Sequence, residues 1–358
     1  MRYDTSLTLA GREIALDQPT YFIADIAANH DGNPERARDL IFAAKEAGAD
    51  CAKFQHFVAS EIVSDFGFRN LDGKQSHQSG WKKSVFEIYE EYHCPRDWTD
   101  MLVETCREAD IDFMTTPYDF DAIDLFAEIV PGFKIGSGDI TWPAAIERIA
   151  AKGKPVMLAT GASPISEVEI AVDAILKHNR QICLMQCNTN YTGTLENYRH
   201  VNLNVLSSYA LQWPGMILGL SDHTFGPSTV LGAVALGARV IEKHFTDDNS
   251  REGPDHHFAM NPVTWREMVD RTRELEQSLG DRVKRVEDNE LETVIIQRRA
   301  LRAKRDIAAD TVLTDDHLEA LRPCPADAVP PYRQADVTGK KTTRDIPAGD
   351  HIRWADLI

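Results

Sequence analysis

Two short tracts near the middle of the chain each place a histidine beside a carboxylate at the end of an apolar run. The tracts read GLSDH at residues 219–223 and EKHF at residues 242–245. Because side chains alternate along a strand, His223 lies on the same side as Ser221, and His244 lies on the same side as Glu242. Two imidazoles from the ends of neighbouring strands would bind a divalent metal and leave positions open for water or a substrate oxygen.

Other polar residues fall where predicted strands end. Lys53 and Lys134 each close a short apolar run, and Gly136-Ser137-Gly138 follows the second lysine. Glycines let backbone N–H groups approach an anion, and a lysine places a point charge on it, so these residues suit a phosphate and a carboxylate bound together. A single strand-end lysine is more often a surface residue, and a single buried histidine is more often a core residue. Only their convergence at one end of a sheet favours a site.

The elements that would bring these residues together alternate along the chain. Eight strand-like runs are separated by amphipathic helical stretches, several of which open with Pro and close on Gly. This alternation favours an α/β fold, a (β/α)₈ TIM barrel, over an open doubly wound sheet, and no GxGxxG tract follows the first strand. In a barrel the carboxyl ends of all strands meet at one mouth. The predicted strands cover residues 21–27, 50–55, 111–116, 133–137, 155–160, 181–187, 216–221 and 239–244.

Two further regions differ from the alternating pattern. The stretch 56–95 is too long for an ordinary loop, and we expect it to be a lid over the barrel mouth. After residue 280 a tract that begins Arg305-Asp306-Ile307 is repeated as Arg344-Asp345-Ile346, which predicts a small β-rich domain with internal symmetry. The predicted domains are a barrel at 1–281, a linker helix at 282–299 and the β-rich domain at 300–358.

Composition excludes several classes of protein. The formal net charge of −17 argues against nucleic acid as a partner, because a phosphate backbone recruits basic surfaces. Neither the opening residues nor any later segment has the apolar length of a signal peptide or a membrane span. The six cysteines lack the spacing of a zinc site and are too sparse for a disulfide framework. We therefore expect a cytoplasmic protein.

At this point the motifs resemble those of a known family, the sialic acid (N-acetylneuraminate) synthases. The resemblance runs from the first strand to the end of the chain, whose last part is similar to that family's antifreeze-like (SAF-type) domain. The tracts that carry it are IAD at 23–25 with NHDG at 29–32, KFQ at 53–55, KIGSGD at 134–139, GLSDHT at 219–224, IEKHFT at 241–246, GPDH at 253–256, RAL at 299–301 and LRP at 321–323.

The resemblance implies a reaction and a set of site residues. Phosphoenolpyruvate would condense with an open-chain acylamino sugar, similar to N-acetylmannosamine, to give a 2-keto-3-deoxy sugar acid and phosphate. His223 and His244 match the ligands of a divalent metal, Mn²⁺ or Mg²⁺, which would polarise the aldehyde oxygen. The matched catalytic positions are Asp25, Lys53 and Asp139, and the matched substrate-binding positions are Thr116, Lys134, Ser137, Tyr191, Ser221, Asp255 and Arg322. Family members form domain-swapped homodimers, in which the arginine matched by Arg322 contacts the acceptor's N-acyl group across the dimer.

Several positions depart from the family pattern. Asp25 stands where a Glu is usual, and Ala159 replaces a common Ser that donates to phosphate. The tract 322–327 replaces the usual Arg-Pro-Gly loop. These differences fall mainly on the acceptor side, so a modified or deoxy acylamino sugar is the expected acceptor.

Two other functions are consistent with the sequence. A Schiff-base aldolase acting on a sugar acid would use Lys53, Lys134 or Lys243 as its amine nucleophile. A non-catalytic sugar-binding barrel would keep the fold while its site drifted. An aldolase has no need of the paired histidines, which favours the metal-dependent condensation.

Overall fold

The computed structural model describes residues 2–71, 78 and 81–358. The chain folds into two compact units, Met1–Gly280 and Asp281–Ile358. No helix in the described ranges combines the length and the apolar character that crossing a membrane requires.

The first unit opens with a small antiparallel hairpin made of β1 (Ser6–Leu9) and β2 (Arg12–Ala15), a feature that the sequence pattern did not predict. Its apolar side chains Leu7, Leu9 and Ile14 are buried. They pack in one cluster with inward-facing residues near the starts of the barrel strands, such as Tyr21 and Met157. The hairpin therefore closes the amino-terminal end of the barrel, and the opposite end is left for ligands.

Eight parallel strands form a closed barrel, which confirms the predicted fold. Their sequences are buried almost throughout, because helices cover the outside and packed side chains fill the inside. The observed bounds differ from the predicted ones by one or two residues. The strands are β3 (Tyr21–Asp25), β4 (Cys51–His56), β5 (Asp112–Pro117), β6 (Phe133–Ile135), β7 (Val156–Ala159), β8 (Ile182–Cys187), β9 (Ile217–Asp222) and β10 (Ala238–His244).

Helices follow the strands and carry recognisable start signals. Asn33 caps the first barrel helix with its side chain and is followed by Pro34, while Asn261 caps the last helix of the unit in a capping box. The helices are α1 (Pro34–Glu46), α2 (Ala59–Ile62), α3 (Asp65–Arg69), α4 (Val85–Tyr92), α5 (Thr99–Glu108), α6 (Phe120–Phe126), α7 (Pro143–Ala150), α8 (Ile165–Leu176), α9 (Val205–Gln212), α10 (Ser228–Ala235) and α11 (Pro262–Ser278).

The stretch predicted to be a lid follows β4. Its described part contains the short helices α2, α3 and α4, and residues 72–77 and 79–80 of the predicted lid lie outside the described residues. The Phe57 ring packs at a tilt against Tyr89 and edge-on against Tyr118, with ring centroids 5.2 and 6.0 Å away. Aromatic packing therefore holds the beginning of this stretch against α4 and the loop that follows β5.

The second unit contains α12 (Leu291–Gln297), β11 (Ala300–Ala303), β12 (Leu318–Leu321) and α13 (Gln334–Val337). Its two repeated tracts face each other. Ile307 and Ile346 form an antiparallel bridge, Asp345 Oδ1 accepts from the Ala309 N–H at 2.8 Å, and Asp306 Oδ1 accepts from the Ala348 N–H at 2.8 Å. Each copy thus caps the turn of the other, as an internal pseudo-twofold requires.

The predicted linker helix over 282–299 is much shorter in the structure. Arg282 has a positive φ of 67°, and Asp281 accepts a hydrogen bond from the Val283 N–H, so the chain turns here rather than starting a helix. Helical structure begins only after Glu287, in a capping-box turn that leads into α12. The segment is rich in helix-forming residues, but the hydrogen bond to the Asp281 side chain holds its first residues in a turn.

Candidate active site

A small cavity lies at the carboxyl ends of the barrel strands. It contains most of the residues that the motifs singled out, delivered by seven of the eight strands or the loops that follow them. Its lining consists of Asp25, Lys53, Gln55, Thr116, Tyr118, Lys134, Gly136, Ser137, Cys187, Tyr191, Ser221, His223, Glu242 and His244. Residues far apart in the sequence therefore meet in one small, polar chamber.

Two buried lysine–carboxylate pairs occupy this chamber. Lys53 Nζ lies 2.7 Å from Asp25 Oδ2, and Lys134 Nζ lies 2.8 Å from Glu242 Oε1. Burial would raise the pKa of Asp25, but Lys53, His244 and the hydrogen bond from Gln55 together hold that pKa below its usual value. Burial would likewise lower the pKa of Lys53, and the carboxylate of Asp25 raises it instead. Lys53 can thus meet an anion as a full positive charge, and Lys134 lines the same chamber.

Asp25 has further partners that fix its short side chain. Oδ2 accepts from Gln55 Nε2 at 3.0 Å, and Oδ1 accepts from the Ala27 N–H at 3.1 Å. Lys53 also donates to Thr116 Oγ1 at 3.2 Å. These bonds link the ends of β3, β4 and β5. Although Asp25 is one methylene shorter than Glu, both of its carboxylate oxygens still have hydrogen-bond partners.

The two histidines face each other across the chamber, with ring centroids 5.4 Å apart. His223 Nδ1 lies 3.0 Å from the Asn188 carbonyl oxygen, to which it donates, and the Cys187 side chain also hydrogen-bonds to this ring. Burial would lower the pKa of His223, but these partners together raise it above its usual value. His244 Nδ1 is buried without a hydrogen-bond partner. Burial lowers the pKa of His244 to about 3, so this ring is neutral, as a metal ligand must be.

These observations fit a metal site built from two imidazoles. Across residues 2–71, 78 and 81–358 there is no group of three or more His, Cys, Asp or Glu side chains arranged to hold a metal. The remaining coordination positions would therefore belong to water or to oxygen atoms of a substrate.

Aromatic rings enclose the histidine pair. The Tyr191 ring lies 4.4 Å from His223 and 6.0 Å from His244, and the Phe258 ring lies 4.9 Å from His244 (centroid distances). Such packing fixes the imidazole orientations and keeps bulk water away from them.

A second, larger cavity adjoins the chamber and shares Gln55, Tyr118, Tyr191 and His244 with it. Most of its other walls are aromatic or aliphatic, and the described residues that line it include no Lys or Arg. Asp255 is the one carboxylate among the described residues that line this cavity, and its Oδ2 lies 3.8 Å from His244 Nδ1. The remaining lining residues are Ala28, Phe57, Ile62, Gln78, Trp81, Ile88, Tyr89, Tyr92 and Pro254.

Two predicted site residues are not among the described residues that line the cavities. Asp139 ends a short 3₁₀ turn, Ser137–Asp139, after β6, and it is not among the described residues that line either cavity. Burial raises the pKa of its carboxyl to about 6. Arg322 belongs to the second unit, is exposed, and also lines neither cavity.

Four residues that line the chamber had no role assigned from the sequence, among them Gln55, which donates to Asp25. Tyr118 follows β5 immediately, Cys187 ends β8, and Glu242 points inward two residues before His244. The period-two pattern of β10 already put Glu242 on the side of His244, which was the signal available for it. For Tyr118 and Cys187 the sequence offered no comparable signal, because an aromatic residue and a thiol are ordinary core residues.

Comparisons with known proteins find relatives that match nearly the whole chain. The N,N'-diacetyllegionaminic acid synthase of Legionella pneumophila is 31% identical over 347 residues, covering 94% of each chain. The human N-acetylneuraminate-9-phosphate synthase is 31% identical over 343 residues, covering 96% of this chain and 94% of its own. The crystal structure of the Bacillus subtilis spore coat polysaccharide biosynthesis protein SpsE superposes with a TM-score of 0.65 at 31% identity and covers 99% of both chains.

The family assignment rests on matches to both parts of the chain. Residues 298–358 match the SAF domain, which agrees with the resemblance of the last part of the sequence to an antifreeze-like domain. Residues 40–284 match the NeuB family, and since this is more than half of the chain, the protein belongs to the NeuB family.

Proposed function

We propose that the protein condenses phosphoenolpyruvate with an open-chain acylamino sugar to give a 2-keto-3-deoxy sugar acid of the sialic acid type and phosphate. One observation carries the proposal: two buried lysines, each paired with a carboxylate, share a small chamber with two facing imidazoles, and the chamber adjoins a larger, mostly uncharged cavity. The chamber suits a compact anion, and the outer cavity suits a sugar. Family membership supports the same reaction class.

Phosphoenolpyruvate would bind through Lys53, Lys134 and the hydroxyl groups beside them. Ser137, Ser221 and Thr116 line the chamber. Ser137 and Thr116 would donate to anionic oxygens, while the hydroxyl of Ser221 donates to Glu242 Oε1. Ser137 Oγ already accepts from the Gly161 N–H at 2.9 Å, which fixes its hydroxyl near the end of β7. This contact keeps a hydroxyl donor at the strand end where Ala159 replaces the usual serine.

His223 and His244 would hold a divalent metal, Mn²⁺ or Mg²⁺, which when bound supplies a Lewis acid for the aldehyde oxygen of the sugar. The residues of this chain orient the two reactants and exclude water around them. Asp25 and Lys53 lie beside His244, with Asp25 Oδ2 3.8 Å from its Nε2, so they would hold the aldehyde end of the acceptor.

The bonds of the proposed reaction balance with one added water. A carbon–carbon bond forms between C3 of phosphoenolpyruvate and the aldehyde carbon, and the oxygen of the water bonds to C2. The bond between C2 and the phosphate oxygen then breaks, which leaves a ketone at C2 and free phosphate. The protons of the water pass to the new hydroxyl group and to the phosphate.

The outer cavity indicates the type of acceptor. Its aromatic and aliphatic walls favour the apolar faces of a sugar, its methyl groups and its acyl groups. Because the described lining contains no Lys or Arg, we propose an acceptor without a phosphate group, a modified or deoxy acylamino sugar.

A screen of acceptors tests the proposal. Purified protein with Mn²⁺ and phosphoenolpyruvate should release phosphate when an acceptable aldose is added, and neutral acylamino sugars should be used faster than their 6-phosphates. A broad panel that triggers no release, together with no binding of phosphoenolpyruvate, would favour a non-catalytic sugar-binding barrel instead.

The aldolase alternative fits the contacts poorly. A Schiff-base lysine must be deprotonated to attack a carbonyl, whereas Lys53, Lys134 and Lys243 each pair with a buried carboxylate. Borohydride in the presence of pyruvate should therefore leave no covalent adduct, and chelation should abolish turnover.

A further inference from the structure

Glu242 is the one carboxylate of the chamber that the motifs left without a role. It lies on β10 with its side chain inside the barrel and is only 5% exposed. Oε1 accepts from Lys134 Nζ at 2.8 Å and from Ser221 Oγ at 3.2 Å. One oxygen of this carboxylate therefore ties together two side chains of the anion-binding chamber.

The other oxygen, Oε2, is buried and has no hydrogen-bond partner. A buried polar atom without a partner carries a desolvation cost of about 1–3 kcal/mol, more for a charged group, and such atoms in native proteins call for a ligand or water. Since an ionised carboxylate only accepts hydrogen bonds, whatever completes this site must bring a donor.

The reactants offer few donors at this depth. The carboxylate and phosphate of phosphoenolpyruvate present acceptor oxygens, which a second carboxylate repels. The hydroxyl and amide groups of the sugar would occupy the outer cavity, whose described lining does not include Glu242. Water is the remaining reactant, and it carries two O–H donors.

On the basis of the proposed function, we infer that Glu242 is a further functional residue, whose Oε1 positions Lys134 and Ser221 and whose Oε2 accepts a hydrogen bond from the water that adds to C2. A water held in this way directs a lone pair away from the carboxylate and toward the carbon. The residue thus touches a reactant, in addition to orienting its neighbours.

Glu242→Gln tests the inference because it inverts one contact and keeps the other. The amide oxygen can still accept from Lys134, and the amide NH₂ then occupies the place of Oε2 and donates to the water. We expect kcat to fall by about 100-fold, the size of effect seen when one reaction-specific hydrogen bond is removed. The dissociation constant of phosphoenolpyruvate, measured by calorimetry with Mn²⁺, should stay within about threefold of wild type or become tighter.

Glu276→Gln is the matched control. Glu276 accepts from the Thr20 N–H and from Arg273, remote from both cavities, so this variant should keep wild-type kcat. If Glu242→Gln does not fold, as judged by circular dichroism and thermal melting, Glu242→Asp replaces it. That variant keeps the charge but withdraws the carboxylate, and it should also lose kcat by about tenfold or more.

Two results would overturn the assignment. One is a folded variant at position 242 whose kcat stays within about threefold of wild type, and the other is a variant whose whole defect lies in phosphoenolpyruvate binding, which would reduce Glu242 to an anchor for Lys134. Failure of the proposed function looks different, because there the wild-type protein itself releases no phosphate with any acceptor.

Discussion

Lys243 and Asp222 form a buried ion pair on the side of β9 and β10 that faces the helices, one residue before each of the two site histidines. Thr229 of α10 donates to the same carboxylate at 2.6 Å, and Lys243 also donates to the Thr224 carbonyl oxygen at 2.6 Å. Because alternate residues of a strand point to opposite faces, this pair fixes the strand ends from which the histidines project inward.

Lys243→Met should therefore destabilise the protein strongly. It leaves Asp222 as a buried charge without its main partner, which costs about 3–5 kcal/mol of unfolding free energy. Denaturant unfolding measures the loss. Lys45→Met, which breaks the exposed pair with Asp110, is the control and should change stability by less than about 1 kcal/mol. Equal effects of the two changes would show that the buried pair has no special structural role.

His223→Ala should remove metal-dependent turnover while leaving the fold intact. The Asn188 carbonyl oxygen loses its donor and the buried ring leaves a cavity, so the melting temperature should fall modestly while the circular dichroism spectrum stays unchanged. Calorimetry should show Mn²⁺ affinity reduced by about 100-fold or more. The exposed His200→Ala is the control. Unchanged Mn²⁺ binding in His223→Ala would remove this histidine from the proposed ligand set.

The fold could be predicted from the sequence because its barrel strands are short apolar runs that end in polar residues. Lys53, Lys134, His223 and His244 were placed together by that pattern alone, since every barrel strand delivers its carboxyl end to one mouth. The hairpin of β1 and β2 was missed, because two strands of four residues have too little periodicity to distinguish them from a loop.

What the sequence could not show depends on contacts between distant segments. The free oxygen of Glu242 and the aromatic wall of the outer cavity exist only once β10, the loop after β4 and α4 are assembled. Asp139 lines neither cavity itself, but its charge adds to burial in raising the pKa of Tyr118 and of Tyr89, which do line them, so its motif pointed to a residue beside the site.

Acid should destabilise the metal-free protein through its buried neutral histidines. Burial lowers the pKa of His56 to about 3 from its usual 6.5, and that of His30 to about 4. The unfolded chain takes up these protons below pH 6.5 while the folded chain does not, so unfolding free energy falls as pH decreases from 6.5 toward 4.

His56→Phe measures the contribution of one of these histidines to the pH dependence of stability. His56 donates to Thr115 Oγ1, which in turn donates to the Phe54 carbonyl oxygen, so the hydroxyl keeps a partner in the variant. Urea unfolding at several pH values should give a slope that is shallower by about 1.4 kcal/mol per pH unit between pH 6 and 4. Parallel curves for the two proteins would mean that His56 is protonated in the native state.

Asp139 should show the opposite dependence. Its folded pKa of about 6 lies above the ordinary 3.8, so the native carboxyl resists ionisation that the unfolded chain undergoes freely. Asp139→Asn removes that cost. The variant should be more stable than wild type above pH 6, with the difference shrinking as pH falls and vanishing below 3.8. A constant difference across this range would contradict the raised pKa.

Arg322 should act on the barrel of the other chain in a homodimer, as the family resemblance implies. Light scattering tests the dimer itself, and mixed dimers test the exchange. A dimer of one His223→Ala chain and one Arg322→Ala chain, purified with two different tags, contains one complete site only if Arg322 serves in trans, because the intact barrel then receives the intact arginine. Its activity should be about half that of wild type, whereas either variant alone should be poorly active. If Arg322 acts within its own chain, each barrel of the mixed dimer lacks one required residue. The purified heterodimer should then be no more active than the two single-variant homodimers.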